Sequence, residues 1–193
     1  IIKLNTFVGL KDKNKIDTLL KKNNFNINFD FLSIDVDSID YYIFKSLNVY
    51  KPKLICIEYN HSIPNDVDFV QKDYTSNQGA SALSLIKLAK SKNYHPVCAT
   101  VTNLFFIHDD YKEQVIGDKD LKLNDLIDDT EIKNYIFYGY DGSIFTSKQV
   151  RLPWHSLVVK DLNVLYFLKK YPRNYNFFEK FLFKIYKKFK NYF

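Results

Sequence analysis

Apolar positions in this chain fall in short continuous runs, and the segments between them repeat at helical spacing. The runs are "IIKLNTFV" (1–8), "FDFLSIDVD" (29–37), "KLICIEYN" (53–60), "PVCATV" (96–101) and "LFFIHDD" (104–110). Runs of this length bounded by polar residues read as strands. In 29–37, Leu32, Ile34 and Val36 share one face while Phe31 and Ser33 share the other, which predicts a central parallel strand covered on both sides. Between the runs, "KNKIDTLLKKN" (13–23) carries Ile16, Leu19 and Leu20 at helical spacing and reads as a surface helix. Two more helices are predicted over 38–50 and 79–94, the second being the more clearly amphipathic. Only Thr102 and Asn103 separate the last two strands, so these must form an antiparallel hairpin.

The resulting order, β-α-β-α-β-α-β-β, predicts a doubly wound α/β sheet, mostly parallel and closed by an antiparallel hairpin. A small helix follows at 121–128, and a second hairpin at 135–147 is signalled by Asp141-Gly142. Three regions are expected: an α/β domain over 1–112, a small helix-plus-hairpin extension over 113–170, and a basic aromatic helix over 171–193.

Length changes the picture little: 193 residues suffice for one domain with a substantial core. The absence of Met and a start that already reads as a strand suggest a piece of something longer. No signal peptide and no apolar run of about 20 residues is present, so a cytoplasmic location is expected. Cys56 and Cys98 each sit in a predicted strand and form no C-x-x-C pair, which suits buried free thiols in a reducing compartment. Charge matters more by its placement. Residues 171–193 hold six basic residues and one acidic, so the tail carries +5 of the net +6. A near-neutral body argues against a nucleic-acid-binding face spread over the fold.

Ligands of open parallel sheets bind beyond the carboxyl ends of the strands. Two successive strands here end in polar clusters: Asp35, Asp37 and Asp40 after one, and Glu58, Asn60 and His61 after the other. If the strands are neighbours, these groups meet in one crevice, and their oxygen and imidazole donors suit a hard divalent cation such as Mg²⁺. A cation would also relieve the repulsion between Asp35 and Asp37. The same residues suit a structural role, with Ser38 or Asp40 capping the helix "YYIFKSL".

"FDFLSIDVDSIDYYIFKSL…PKLICIEYN", with "GASALSLIKLAKSKNY" and "NLFFIHDD", resembles the C-terminal half of S-adenosylmethionine-dependent methyltransferases, in particular the FkbM-like proteins of polysaccharide gene clusters. The resemblance covers residues 1–110 and continues more loosely through "YDGSIF" and "RLPWH". Asp35-Val36-Asp37-Ser38-Ile39-Asp40 stands where that family has D-x-D-G-x-D, with Ser38 in place of Gly. The resemblance implies part of a Rossmann-like class I methyltransferase sheet and methyl transfer to a sugar or polysaccharide hydroxyl. Asp35 and Asp37 would be catalytic, and Asp40 and His61 would bind substrate. The spacing is also similar to that of catechol-type O-methyltransferases, which implies Mg²⁺ held by Asp35, Glu58 and Asn60. The glycine-rich cofactor turn is missing: none of the five glycines pairs as G-x-G, so S-adenosylmethionine would be held by residues upstream of Ile1. A non-catalytic module binding a glycan or protein partner is the alternative.

Two further features stand apart. Trp154 and His155 of "RLPWHS" suit stacking on and bonding to a sugar, or a packed anchor. The tail "NYNFFEKFLFKIYKKFKNYF" places aromatics near helical spacing with lysines between. It suits contact with the inner face of a membrane over 175–193, or packing on its own domain, and single-stranded nucleic acid less well. Membrane contact would fit a lipid-linked glycan substrate.

Overall fold

The computed structural model describes residues 3–72, 74–140, 144–152, 157–159 and 174–189. The chain divides between Ile132 and Lys133 into two compact units.

The first unit is built on four strands: β1 (Phe31–Ile34), β2 (Leu54–Glu58), β3 (Tyr94–Ala99) and β4 (Asn103–His108). They lie in the order β1-β2-β4-β3, with β1 parallel to β2 and β4 antiparallel to both of its neighbours. The unit is thus mixed α/β on a mixed sheet. The tight connection, residues 100–102, forms the expected hairpin, and a bulge between Pro96 and Cys98 sits on edge strand β3, where a proline is tolerated.

Helices α1 (Ile16–Lys22), α2 (Asp40–Ser46) and α3 (Ala82–Ser91) occupy the predicted helical segments. The alternating residues Ile55 and Ile57 of β2 pair across to Phe106 and Leu104 of β4 and share one face. That face forms a single core with Ile43 and Phe44 of α2 and Leu85, Leu88 and Ala89 of α3. The Phe44 ring stacks on Phe106 at 6.4 Å and meets Tyr94 edge-on at 6.0 Å. The short helices α4 (Lys112–Ile116) and α5 (Leu123–Leu126) follow; α5 packs on α3 and β3, so both belong to this unit rather than to a separate extension beginning at 113.

Three expectations are corrected. Residues 3–9 form no strand; Leu4 and Phe7 are exposed, and no neighbouring strand offers them a ladder. β1 is an edge strand with Phe31 49% exposed, not a central strand covered on both sides. Its two-faced apolar pattern indicates apolar character, which periodicity alone cannot convert into position in a sheet. Cys56 is buried as expected, but Cys98 is exposed beside the bulge.

In the second unit β5 (Ile136–Tyr138) pairs antiparallel with β6 (Ile144–Thr146), as the hairpin signal predicts. The Asp141-Gly142 turn itself lies outside the described residues. β7 (Val150–Leu152) pairs antiparallel with β8 (Leu157–Val159), and α6 (Phe177–Phe189) is the expected tail helix.

Candidate functional site: an acidic cluster at the ends of two parallel strands

The parallel register of β1 and β2 sets Ile34 beside Ile57, so the residues that follow, Asp35 and Glu58, emerge side by side at the same sheet end. The strand has already ended at Ile34, and both Asp35 and Asp37 lie on the β1–α2 loop. Asp37 adopts a left-handed conformation (φ 59°) that turns the chain back, a conformation aspartate tolerates better than most residues. Carboxylate oxygens of Asp35, Asp37 and Glu58 lie within 4.8 Å of one another. The loop's left-handed residue is Asp37, not Ser38, so a glycine is not needed at position 38.

Asp40 holds this loop in shape. Only 5% exposed, it accepts hydrogen bonds from the backbone N–H of Val36 (2.9 Å) and of Ser38 (3.1 Å). The residue expected to meet substrate is therefore a positioning residue, with both carboxylate oxygens engaged by the loop. It also reverses the expected cap: α2 begins after Ile39 without a side-chain cap, and Asp40 binds the loop before the helix. Burial raises the Asp40 carboxyl above its ordinary value, a rise that the backbone N–H groups of Val36, Asp40 itself and Ser38 partly offset.

Glu58 is half-buried at the end of β2. Its pKa is raised to about 7, first by burial and then by the negative charges of Asp40, Asp35 and Asp37. It therefore changes charge near neutrality: losing its proton worsens the local crowding of negative charge, and gaining a cation relieves it.

Asn60 is engaged elsewhere. Its Oδ1 accepts from the Ser62 N–H (3.0 Å) and hydroxyl (2.6 Å), while its Nδ2 donates to the Gln78 carbonyl (2.9 Å). The intervening Tyr59 points inward: it is buried, and its hydroxyl donates to the Thr100 carbonyl at 3.2 Å. The third carboxylate of the cluster is Asp37, taking the place expected of Asn60. His61 lies half-buried in the turn after β2 and is not part of the trio. Trp154 and His155 lie outside the described residues.

A residue without any periodic signal holds the loop that packs against Asn60. Gln71 is 1% exposed, and its Oε1 accepts from the N–H groups of Gln78 (3.1 Å) and Gly79 (2.8 Å). Gly79, with φ 68°, brings this strap against Asn60. The polar stretch 61–78 reads only as a loop, and nothing in its pattern singles out Gln71.

Three carboxylate oxygens this close could converge on a single hard cation with small side-chain adjustments. Ligand oxygens bound at 2.0–2.1 Å (Mg²⁺) or 2.3–2.6 Å (Ca²⁺) can stand at most about 4–5 Å apart. Fold and site together define a mixed α/β protein with three acidic side chains at a parallel strand end. Comparison with protein-family models, curated proteins and solved structures gave no match.

Proposed function

We propose that this chain carries the substrate-side corner of an S-adenosylmethionine-dependent O-methyltransferase acting on a sugar or polysaccharide hydroxyl. The observation that carries the reading is the convergence of Asp35, Asp37 and Glu58 beyond the carboxyl ends of β1 and β2. The sheet supports it: two parallel strands followed by an antiparallel strand inserted before the last is the order of the C-terminal half of a class I methyltransferase sheet. No residue of this chain is assigned to S-adenosylmethionine.

Within the site, Glu58 is the candidate proton acceptor, since a carboxylate near pKa 7 combines availability with basicity at neutral pH. Asp35 and Asp37 would orient the acceptor hydroxyl, and Asp40 would keep their loop in place. Where a divalent cation is held by the trio, Glu58 would be one of its ligands and no longer the base, and the cation would itself lower the pKa of that hydroxyl.

Calorimetric titration with Mn²⁺ and Mg²⁺ tests the site. Saturable binding that is lost in Asp35→Ala and in Glu58→Gln supports a cation-assisted reading. Absence of binding, together with no transfer of labelled methyl from S-adenosylmethionine to polysaccharide by a protein containing this chain, would overturn it in favour of a non-catalytic module.

A further inference from the structure

The thirteen residues of α6 sort onto separate arcs of the helix. At 100° per residue, Phe177, Phe178, Phe181, Leu182 and Ile185 occupy one side and Lys180, Lys184 and Lys187 an adjoining one, while Lys188 falls at the margin of the apolar side between Phe177 and Phe181. Its N-terminus is fixed by its own sequence: Asn176 Oδ1 accepts from the Glu179 N–H at 2.8 Å, and Glu179 Oε2 accepts from the Asn176 N–H at 2.8 Å, a reciprocal cap. The contact the helix makes with its own preceding segment is on a third side. Buried Tyr175 meets the Phe183 ring edge-on at 5.4 Å, and Lys187 Nζ lies 4.9 Å from that ring. The apolar arc stays uncovered, with Phe177 90%, Phe178 65% and Phe181 54% exposed.

We propose that α6 is an in-plane anchor for an anionic lipid surface. The reading does not depend on the methyltransferase assignment. At about 1.5 Å per residue the helix is some 20 Å long, too short for a bilayer core of about 30 Å, and no helix among the described residues is long and apolar enough to cross a membrane. The segregation of charge decides the partner. An interface with hydrocarbon below and anionic headgroups above matches an apolar arc bordered by three lysines, with Lys188 at its margin, where a long stem can reach up to the headgroups. Single-stranded nucleic acid would draw aromatics and lysines to the same groove, and a second copy would bring two lysine arcs together. The one acidic residue of the helix, Glu179, is engaged in its cap.

Co-sedimentation of the full chain with vesicles tests this. Vesicles of phosphatidylcholine and phosphatidylglycerol (1:1) should pellet the protein at least about tenfold better than phosphatidylcholine alone, with the difference shrinking in high salt. Each of Lys180→Gln and Lys184→Gln should weaken binding by about fivefold, and the pair Phe181→Asp with Ile185→Asp should abolish it. Far-UV circular dichroism checks the aspartate variant; if it is unfolded, the surface lysine variants carry the test alone. Equal binding to both vesicle types, no binding, unaltered binding in the lysine variants, tighter capture by single-stranded DNA, or a dimer that vesicles do not dissociate would each overturn the proposal.

Discussion

Glu58 illustrates how a site gains chemical character from its neighbours. A glutamate that titrates at about 7 rather than 4.5 binds a proton more tightly in the folded chain than in the unfolded one. The folded state then holds more protons between those two values, so its stability falls as pH rises through that window. Thermal unfolding should show a melting temperature that declines from pH 5 to pH 8, and Glu58→Gln should remove that component and raise the melting temperature at pH 8. A cation at the trio should offset the same decline, restoring the melting temperature at pH 8 in the wild-type chain and not in Glu58→Gln. Asp40 is likewise pushed up by burial, but losing its side chain has the opposite effect on stability. Removing its side chain leaves the N–H groups of Val36 and Ser38 without their acceptor, at a cost of about 1–3 kcal/mol. Urea unfolding of Asp40→Ala should show that loss, and calorimetry should show weaker cation binding although Asp35, Asp37 and Glu58 are intact. Unchanged affinity in that variant would mean the loop keeps its shape without Asp40.

At the level of elements, α3 and α2 hold the sheet through a small number of contacts. Ser81, fully buried, caps α3 by accepting from the Ser84 N–H (3.2 Å) and also accepts from the Phe69 N–H (3.1 Å). One hydroxyl thus starts the helix and pins the strap that carries Gln71. Ser81→Ala should destabilise by about 1–2 kcal/mol in chemical denaturation, the range for a lost N-cap. Phe44 bridges α2 to both hairpin strands, and its replacement by Ala should cost about 3–5 kcal/mol. A loss below 1 kcal/mol would show that the core collapses into the space.

The whole molecule is governed by its division at Ile132 and Lys133. The apolar core cluster lies entirely within the first unit. Residues 1–132 produced alone should therefore unfold in one cooperative urea transition with the slope of a small domain, about 1–3 kcal/mol/M. A broad, non-cooperative transition would mean that the remainder of the chain completes that core. The exposed aromatic residues Tyr135, Phe137 and Tyr138 of the second unit contribute nothing to this cluster.

Local pattern alone determined the helices around Ile16, Phe44 and Leu85, the runs that became β1 to β4, and the forced hairpin at Thr102-Asn103. Each rests on periodicity or on a connection too short for any other geometry. It also picked out Asp35, Asp37 and Glu58, since carboxylates closing apolar runs are costly without a purpose. Position within the sheet needed the tertiary structure. An apolar run looks the same at the centre or the edge, so β1 read as covered, and residues 1–8 read as a strand although 3–8 form none. The roles within the acidic group were likewise decided in three dimensions. Asp40 became a loop clamp because two N–H groups converge on it, Asn60 was drawn into its own turn, and Asp37 entered the cluster through a left-handed backbone. Gln71 and Ser81 acquired their roles from partners seven to twelve residues away, at distances in sequence where no period operates.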